Sequence, residues 1–194
     1  VRWFVGILVA LFACSAIYVG SAVVSLGGLV NAVRAQDAAE VLARTDTARL
    51  RRSLVDQIVQ SYLQEIGRDR PVKPLERLAA NTYGASVADA MIAKMLTPES
   101  LTAILNRGSI AVGDAEANMQ SLSAIDTSRI IETLRRISPT KPVEFLIRLG
   151  NSESAGGVSL HFEGNGWKLS GIQLPGAAVR ALAQDLIKTK GRTG

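Results

Sequence analysis

Residues 3–33 form an apolar run without a single charge, with Arg2 before it and Arg34 after it. Beyond Arg34 the pattern changes. Apolar positions recur at helical spacing as far as Gly108, weaken across 109–127, and then alternate every second residue in the last third. As a helix rising ~1.5 Å per residue, residues 3–30 would reach ~40 Å, more than the ~30 Å hydrocarbon core of a bilayer. The pattern therefore predicts a transmembrane anchor, residues 1–34, followed by one water-soluble domain, residues 35–194. A cleaved secretory signal would have an apolar region of roughly 7–15 residues, about half this run. Leu11-Phe12-Ala13-Cys14 resembles a lipobox only loosely, because Phe12 fits that pattern poorly. An uncleaved helix, with Cys14 as a small apolar residue inside it, is the expectation.

In the domain, Asp37 is placed to cap a short helix over 38–43, and Asp46 or Thr47 to open a longer one. There Leu50, Leu54, Ile58, Tyr62 and Ile66 share a face, and Gly67 stands at the end. Residues 75–80 and 86–96 read as helices separated near Gly84, and Thr97-Pro98 begins another that Gly108 stops. Residues 35–108 are thus helical and 109–128 a surface loop. Residues 129–175 form an antiparallel sheet, with strands at 129–137, 143–149, 158–163 and 167–174. The first of these fits a helix nearly as well, through Ile130, Ile131 and Leu134. Val143, Phe145, Ile147 and Leu149 would line the buried sheet face, and an amphipathic helix over 176–190 closes the chain. The predicted class is α+β: one N-terminal transmembrane helix, a helical segment packed on a C-terminal antiparallel sheet of three to four strands, and a terminal helix.

Small residues in the anchor follow one another at helical spacing. Gly6, Ala10, Ala13, Ala16 and Gly20 share one face, and in lipid a stripe of this kind lets helix backbones approach closely. Trp3 and Phe4 suit the headgroup level. Arg2 and a long following domain favour a cytoplasmic amino terminus and a periplasmic domain, with a cytoplasmic domain as the alternative. The 22 basic and 17 acidic residues leave a net charge of +5. Clusters such as Arg49, Arg51 and Arg52 read as solvated surface or as a means of meeting anionic headgroups. Aromatic residues make up only 5% of the chain, too few to interleave with a basic stripe, so nucleic acid is not an expected partner.

The order of features also carries a resemblance. The apolar start leading into Ala32-Val33-Arg34-Ala35-Gln36-Asp37, then Arg49-Leu50-Arg51-Arg52-Ser53-Leu54, then the stretch from Gly166-Trp167-Lys168 through Gln173-Leu174-Pro175 resemble an uncharacterised family of small membrane-anchored bacterial envelope proteins, a domain of unknown function. The resemblance spans roughly residues 20–175. It implies helices followed by an antiparallel sheet in a bacterial envelope protein, and it carries no catalytic residue.

His161 is the only histidine. Ser159, His161 and Glu163 alternate onto one strand face, but adjacent members are then ~6.5–7 Å apart, whereas a nucleophile and its base must approach to roughly 3 Å. A single histidine and a single cysteine make no zinc ligand set. Gly164-Asn165-Gly166 is better suited to a turn than to a dinucleotide loop. Asp126, Glu132 and Glu144 are scattered carboxylates with no spacing that singles them out. No cofactor or metal is expected. The expected role is non-catalytic: a single-span accessory subunit in the inner membrane beside a larger integral-membrane complex, respiratory or photosynthetic for example. The alternative is an anchored periplasmic domain that binds a lipid or other apolar ligand in a pocket lined by Met91, Phe145, Phe162 and Trp167.

Overall fold

The computed structural model describes residues 2–112, 115–125, 137–141, 143–150, 156–164 and 166–192. It opens on a single unbroken helix, α1 (Arg2–Arg34), with no acidic residue in its first turn and Arg34 in its last. The turn after it contains Gln36 at φ 56. Asp37 then caps α2 (Ala38–Ala43), accepting from the Glu40 backbone N–H at 3.0 Å. Asp46 caps α3 (Thr47–Asp69) in the same way, accepting from the Arg49 N–H. Each carboxylate satisfies an amide that the first helical turn leaves without a partner.

After α3 come α4 (Pro74–Ala79), a π turn (Ala80–Gly84) and α5 (Ala85–Met95). The backbone stays right-handed helical through Gly84 and Ala85, so the break expected at Gly84 is a local widening of one continuous helical path. Gly67 likewise does not end α3, which runs two residues further. α6 (Pro98–Arg107) begins at the Thr97 cap, with Pro98 at its first position, and stops at Gly108 in the left-handed region at φ 68.

Residues 109–128 depart from the expected loop. β1 (Ser109–Val112) and β2 (Ala115–Asn118) pair as an antiparallel hairpin, and a 3-10 turn follows (Leu122–Ala124). Met119, Leu122 and Ile125 are buried. The Gly108 conformation directs the chain so that its carbonyl accepts from Met119 N–H at 2.6 Å. A Cβ at Gly108 would strike the Met119 carbonyl oxygen, so only glycine fits there.

The main sheet has strand order β3-β4-β5-β6, all antiparallel: β3 (Ile137–Lys141), β4 (Glu144–Arg148), β5 (Gly157–Glu163) and β6 (Gly166–Gln173). β3 occupies most of the stretch between the first two expected strands, which carries Pro139 and Pro142. It is an edge strand with a register shift after Pro139, the setting in which a strand accepts proline. The strand expected over 129–137 lies outside the described residues up to Ile137. Phe145, Ile147 and Leu149 do line the buried face, with Val158, Leu160, Trp167 and Leu169. Val143 lies just before β4 and is exposed. A bulge at Ser170 offsets β6 against β5, so Leu169 and Ile172, three residues apart, both face inward.

The free edge of β6 is covered within the molecule. Leu169 N–H donates to the Arg44 carbonyl and Asp46 N–H to the Leu169 carbonyl, both at 2.8 Å. Further along, Gln57 on α3 donates to the Ile172 carbonyl at 2.8 Å and accepts from Leu174 N–H at 3.0 Å. One glutamine side chain thereby closes a strand edge that would otherwise invite pairing with another chain. The terminal helix, α7 (Gly176–Arg192), packs along α3.

Candidate membrane anchor and aromatic collar

α1 is long and apolar enough to cross a membrane, with a mean hydropathy of 2.4 in its most apolar stretch. Its two parts have different surroundings. Residues 3–17 are exposed along their whole length, and Phe4, Leu8, Leu11 and Phe12 stand free. From Tyr18 onward one side enters the domain: Ala22, Leu26, Leu29, Val30, Ala32 and Val33 are buried in the common core with Leu50, Leu105, Leu122 and Leu169. The last three turns of the apolar run, inside the expected 1–34 segment, thus pack against the domain. Arg34 itself is a clamp: its Nε donates to the Ser123 carbonyl at 3.0 Å and its Nη2 to the Ile125 carbonyl at 2.9 Å. A cation at the last turn of a helix also faces the negative end of the helix dipole.

The five stripe residues Gly6, Ala10, Ala13, Ala16 and Gly20 are all exposed except for their own helix neighbours, and no Cβ added at Gly6 or Gly20 would meet another atom. At 3.6 residues per turn, Gly20 and Val24 lie on the side opposite Ala22 and Leu26. Val24 is 75% exposed and Leu26 fully buried. The stripe thus faces away from the domain, and the bulky side chains of residues 4, 8 and 12 extend the domain-facing side upward. At the lower end of the outer side, the Arg44 guanidinium lies across Gly28 where a Cβ would sit, held there by Glu40 at 2.6 Å.

Of the residues expected to line an apolar pocket, three come together and one does not. Phe145, Phe162 and Trp167 surround Tyr18 of α1, with ring centroids 5.8, 6.1 and 5.0 Å from the tyrosine ring. Phe145 stacks on Trp167 at 4.8 Å. Trp167 Nε1 donates to Ser21 Oγ at 2.9 Å, and Ser21 in turn donates to the Tyr18 carbonyl. The space among the rings is filled by α1 itself. Aromatic contacts of this kind add about 0.5–1.5 kcal/mol each beyond the area they bury. Met91 sits on α5, which packs on α3 and meets the sheet near Ile172 and Leu174, the far end of β6. Tyr18 is marked in the sequence by its position: a phenol in the middle of an apolar run calls for a hydrogen-bond partner or a helix neighbour.

Two openings lie elsewhere. A groove of about 820 Å³ runs between α3 and α5, spanned by a two-pronged Arg51–Asp89 ion pair. A shallower trough of about 320 Å³ lies between the polar side of α3 and the outer sheet face. It holds His161 beside Ser159 and Glu144, with Arg52 and Asp56 opposite. His161 and Glu144 are direct cross-strand partners, but the Glu144 carboxylate pairs with Lys141 at 3.1 Å. Ser159 is two residues along the same strand from His161, so these groups form no nucleophile and base pair. Among the described residues no group of three or more His, Cys, Asp or Glu is placed to hold a metal ion. Asp126 and Glu132 lie outside the described residues.

Comparison with known families gives one match. Residues 10–104 fit the model of a family described as "Protein of unknown function (DUF2939)", which supports a relation to an uncharacterised family. The matched segment runs from the free part of α1 through most of α6 and stops before the first strand, so the stretch from Gly166 to Pro175 contributes nothing to it. No curated protein and no solved structure matches the chain.

Proposed function

We propose that this chain is a non-catalytic, single-span accessory subunit of the bacterial inner membrane, its free helix lying beside a larger integral-membrane complex and its domain on the periplasmic face. The observation that carries this reading is the division of sides on α1. The side continuous with the domain's packing face carries Phe4, Leu8 and Phe12, while Gly6, Ala10, Ala13, Ala16 and Gly20 lie on the opposite side, with Val9 and Ile17 between them. Lipid accommodates bulky apolar side chains readily, whereas close helix contact in a membrane favours small ones. Because α1 enters the domain without a break, a partner helix seated on the stripe would also fix the domain's orientation above it.

A photoreactive residue incorporated at Ala13, in native membranes, tests the reading. It is expected to form one discrete protein adduct, and the same group at Phe12 to react with lipid. Lipid adducts alone at both positions would overturn the subunit role. The orientation is tested separately by cysteine accessibility from either side of the membrane, with a label at Ala35 expected to react only from the periplasm.

A further inference from the structure

We infer that the end of the domain around Tyr18 is itself a bilayer-contacting surface, with the tips of the β3–β4 and β5–β6 hairpins resting in the lipid headgroups. The inference rests on the anchoring part of the reading above and is independent of any partner subunit. Arg2 and Trp3 mark one membrane boundary, as a cation and an amphipathic ring do at an interface. From there the exposed segment of α1, residues 3–17, covers ~22 Å at ~1.5 Å per residue. A hydrocarbon core of ~30 Å leaves ~8 Å uncovered. The next turn of α1 is wrapped by Phe145, Phe162 and Trp167, so the domain must descend to this depth together with the helix.

The direction of the strands determines which residues lead. Trp167 meets α1 at Tyr18 and Ser21. Two residues along β6, Leu169 bonds the backbone of Arg44, whose guanidinium lies over Gly28. β6 therefore runs beside α1 from the level of Tyr18 toward that of Gly28. Its Gly166 end points at the membrane, as does the start of β4, which is paired two strands across.

The leading groups suit an interface. Val143 is apolar and 42% exposed, and a Cβ added at Gly164 or Gly166 would meet open space. The nearby charges are matched, Lys141 with Glu144 at 3.1 Å and Lys168 with Glu163 at 3.5 Å. The surface thus approaches headgroups without an uncompensated acidic residue among these four. Tyr18, only partly buried, supplies a ring of the type that collects at this depth.

The test uses the full chain with Cys14→Ser and one fluorophore at Val143→Cys, Gly166→Cys or Ala35→Cys, mixed with phosphatidylcholine vesicles that contain a headgroup-nitroxide lipid. Each labelled chain is first checked for cooperative unfolding. Ala35 lies ~25 Å beyond Tyr18 along α1. The expected result is co-flotation with the vesicles and quenching several-fold stronger at residues 143 and 166 than at 35. Flotation with equal or weaker quenching at 143 and 166 would overturn the inference and leave the anchor standing. Failure to float would overturn both.

Discussion

The two parts of α1's apolar run are both uncharged and have the same secondary structure, yet one is surrounded by the core and the other by nothing the domain supplies. Residues 3–17 and the segment from Tyr18 to Val33 are both apolar and without charge, the first carrying Trp3, Phe4, Phe12 and two isoleucines, the second more Val and Gly with Ser21, Ser25 and Asn31. Apolar burial is non-directional, so hydropathy alone does not separate the two. What separates them is the sheet: the rings on β4, β5 and β6 close around Tyr18 and leave everything before it uncovered. One apolar run can thus be part free helix and part core helix.

The sharpest way to break this comparison is to truncate one leucine in each part. Leu26→Ala removes a fully buried side chain and is expected to cost about 2–5 kcal/mol of domain stability. Leu8→Ala, at an exposed site, is expected to stay within about 0.5 kcal/mol. Urea unfolding of the detergent-solubilised chain, followed by Trp167 fluorescence in a Trp3→Phe background, measures both. Equal losses would mean that the two parts share one environment.

The junction comes next. Ser21→Ala removes the acceptor of the partly buried Trp167 N–H, at a cost of about 1 kcal/mol, with a change in the tryptophan emission that Ser15→Ala does not produce. A third comparison sets two glycines against each other. Gly28→Leu displaces the Arg44 guanidinium from its bond with Glu40 and is expected to cost about 1 kcal/mol or less, because the pair is partly exposed. Gly6→Leu meets open space; it should leave unfolding unchanged and weaken only the adduct formed at Ala13.

The smallest effect provides a control far from α1. Glu76 is held below the usual carboxylate range, first by the hydrogen bond from Arg70 and then by the Lys73 N–H. Its contribution is present above the ~4.3 of an unfolded glutamate and lost as pH falls through the lower folded value. Acidification should therefore speed amide exchange in the first turn of α4 and leave α1 unchanged. Glu76→Gln should show the faster exchange already at neutral pH and remove that pH dependence. Exchange that rises equally in α1 would show that the two regions are coupled.

How much of this was legible varies with the kind of signal. Helix starts were, because Asp37, Asp46 and Thr97-Pro98 act through bonds within their own first turns. The strands at β4, β5 and β6 were legible from two-residue alternation. β1 and β2 were not: Ala and Ser give little alternation, and the pairing depends on a left-handed Gly108 and on cover from α7. β3 was hidden by Pro139, which reads as a break unless the strand is known to be an edge. For the candidate site, the stripe from Gly6 to Gly20 could be read from spacing, whereas the collar needed Tyr18 to be brought against three strands more than a hundred residues away.

By itself the sequence determined the long apolar helix, the caps, the α+β order and the face of small residues, because each follows from neighbours within a few positions along the chain. Only the tertiary structure decided where α1 stops being free, that the rings expected around a ligand close on the chain's own tyrosine, and which hairpins lie at the end where α1 runs free. Those outcomes depend on contacts between distant segments, and local periodicity carries no record of which distant segment will arrive.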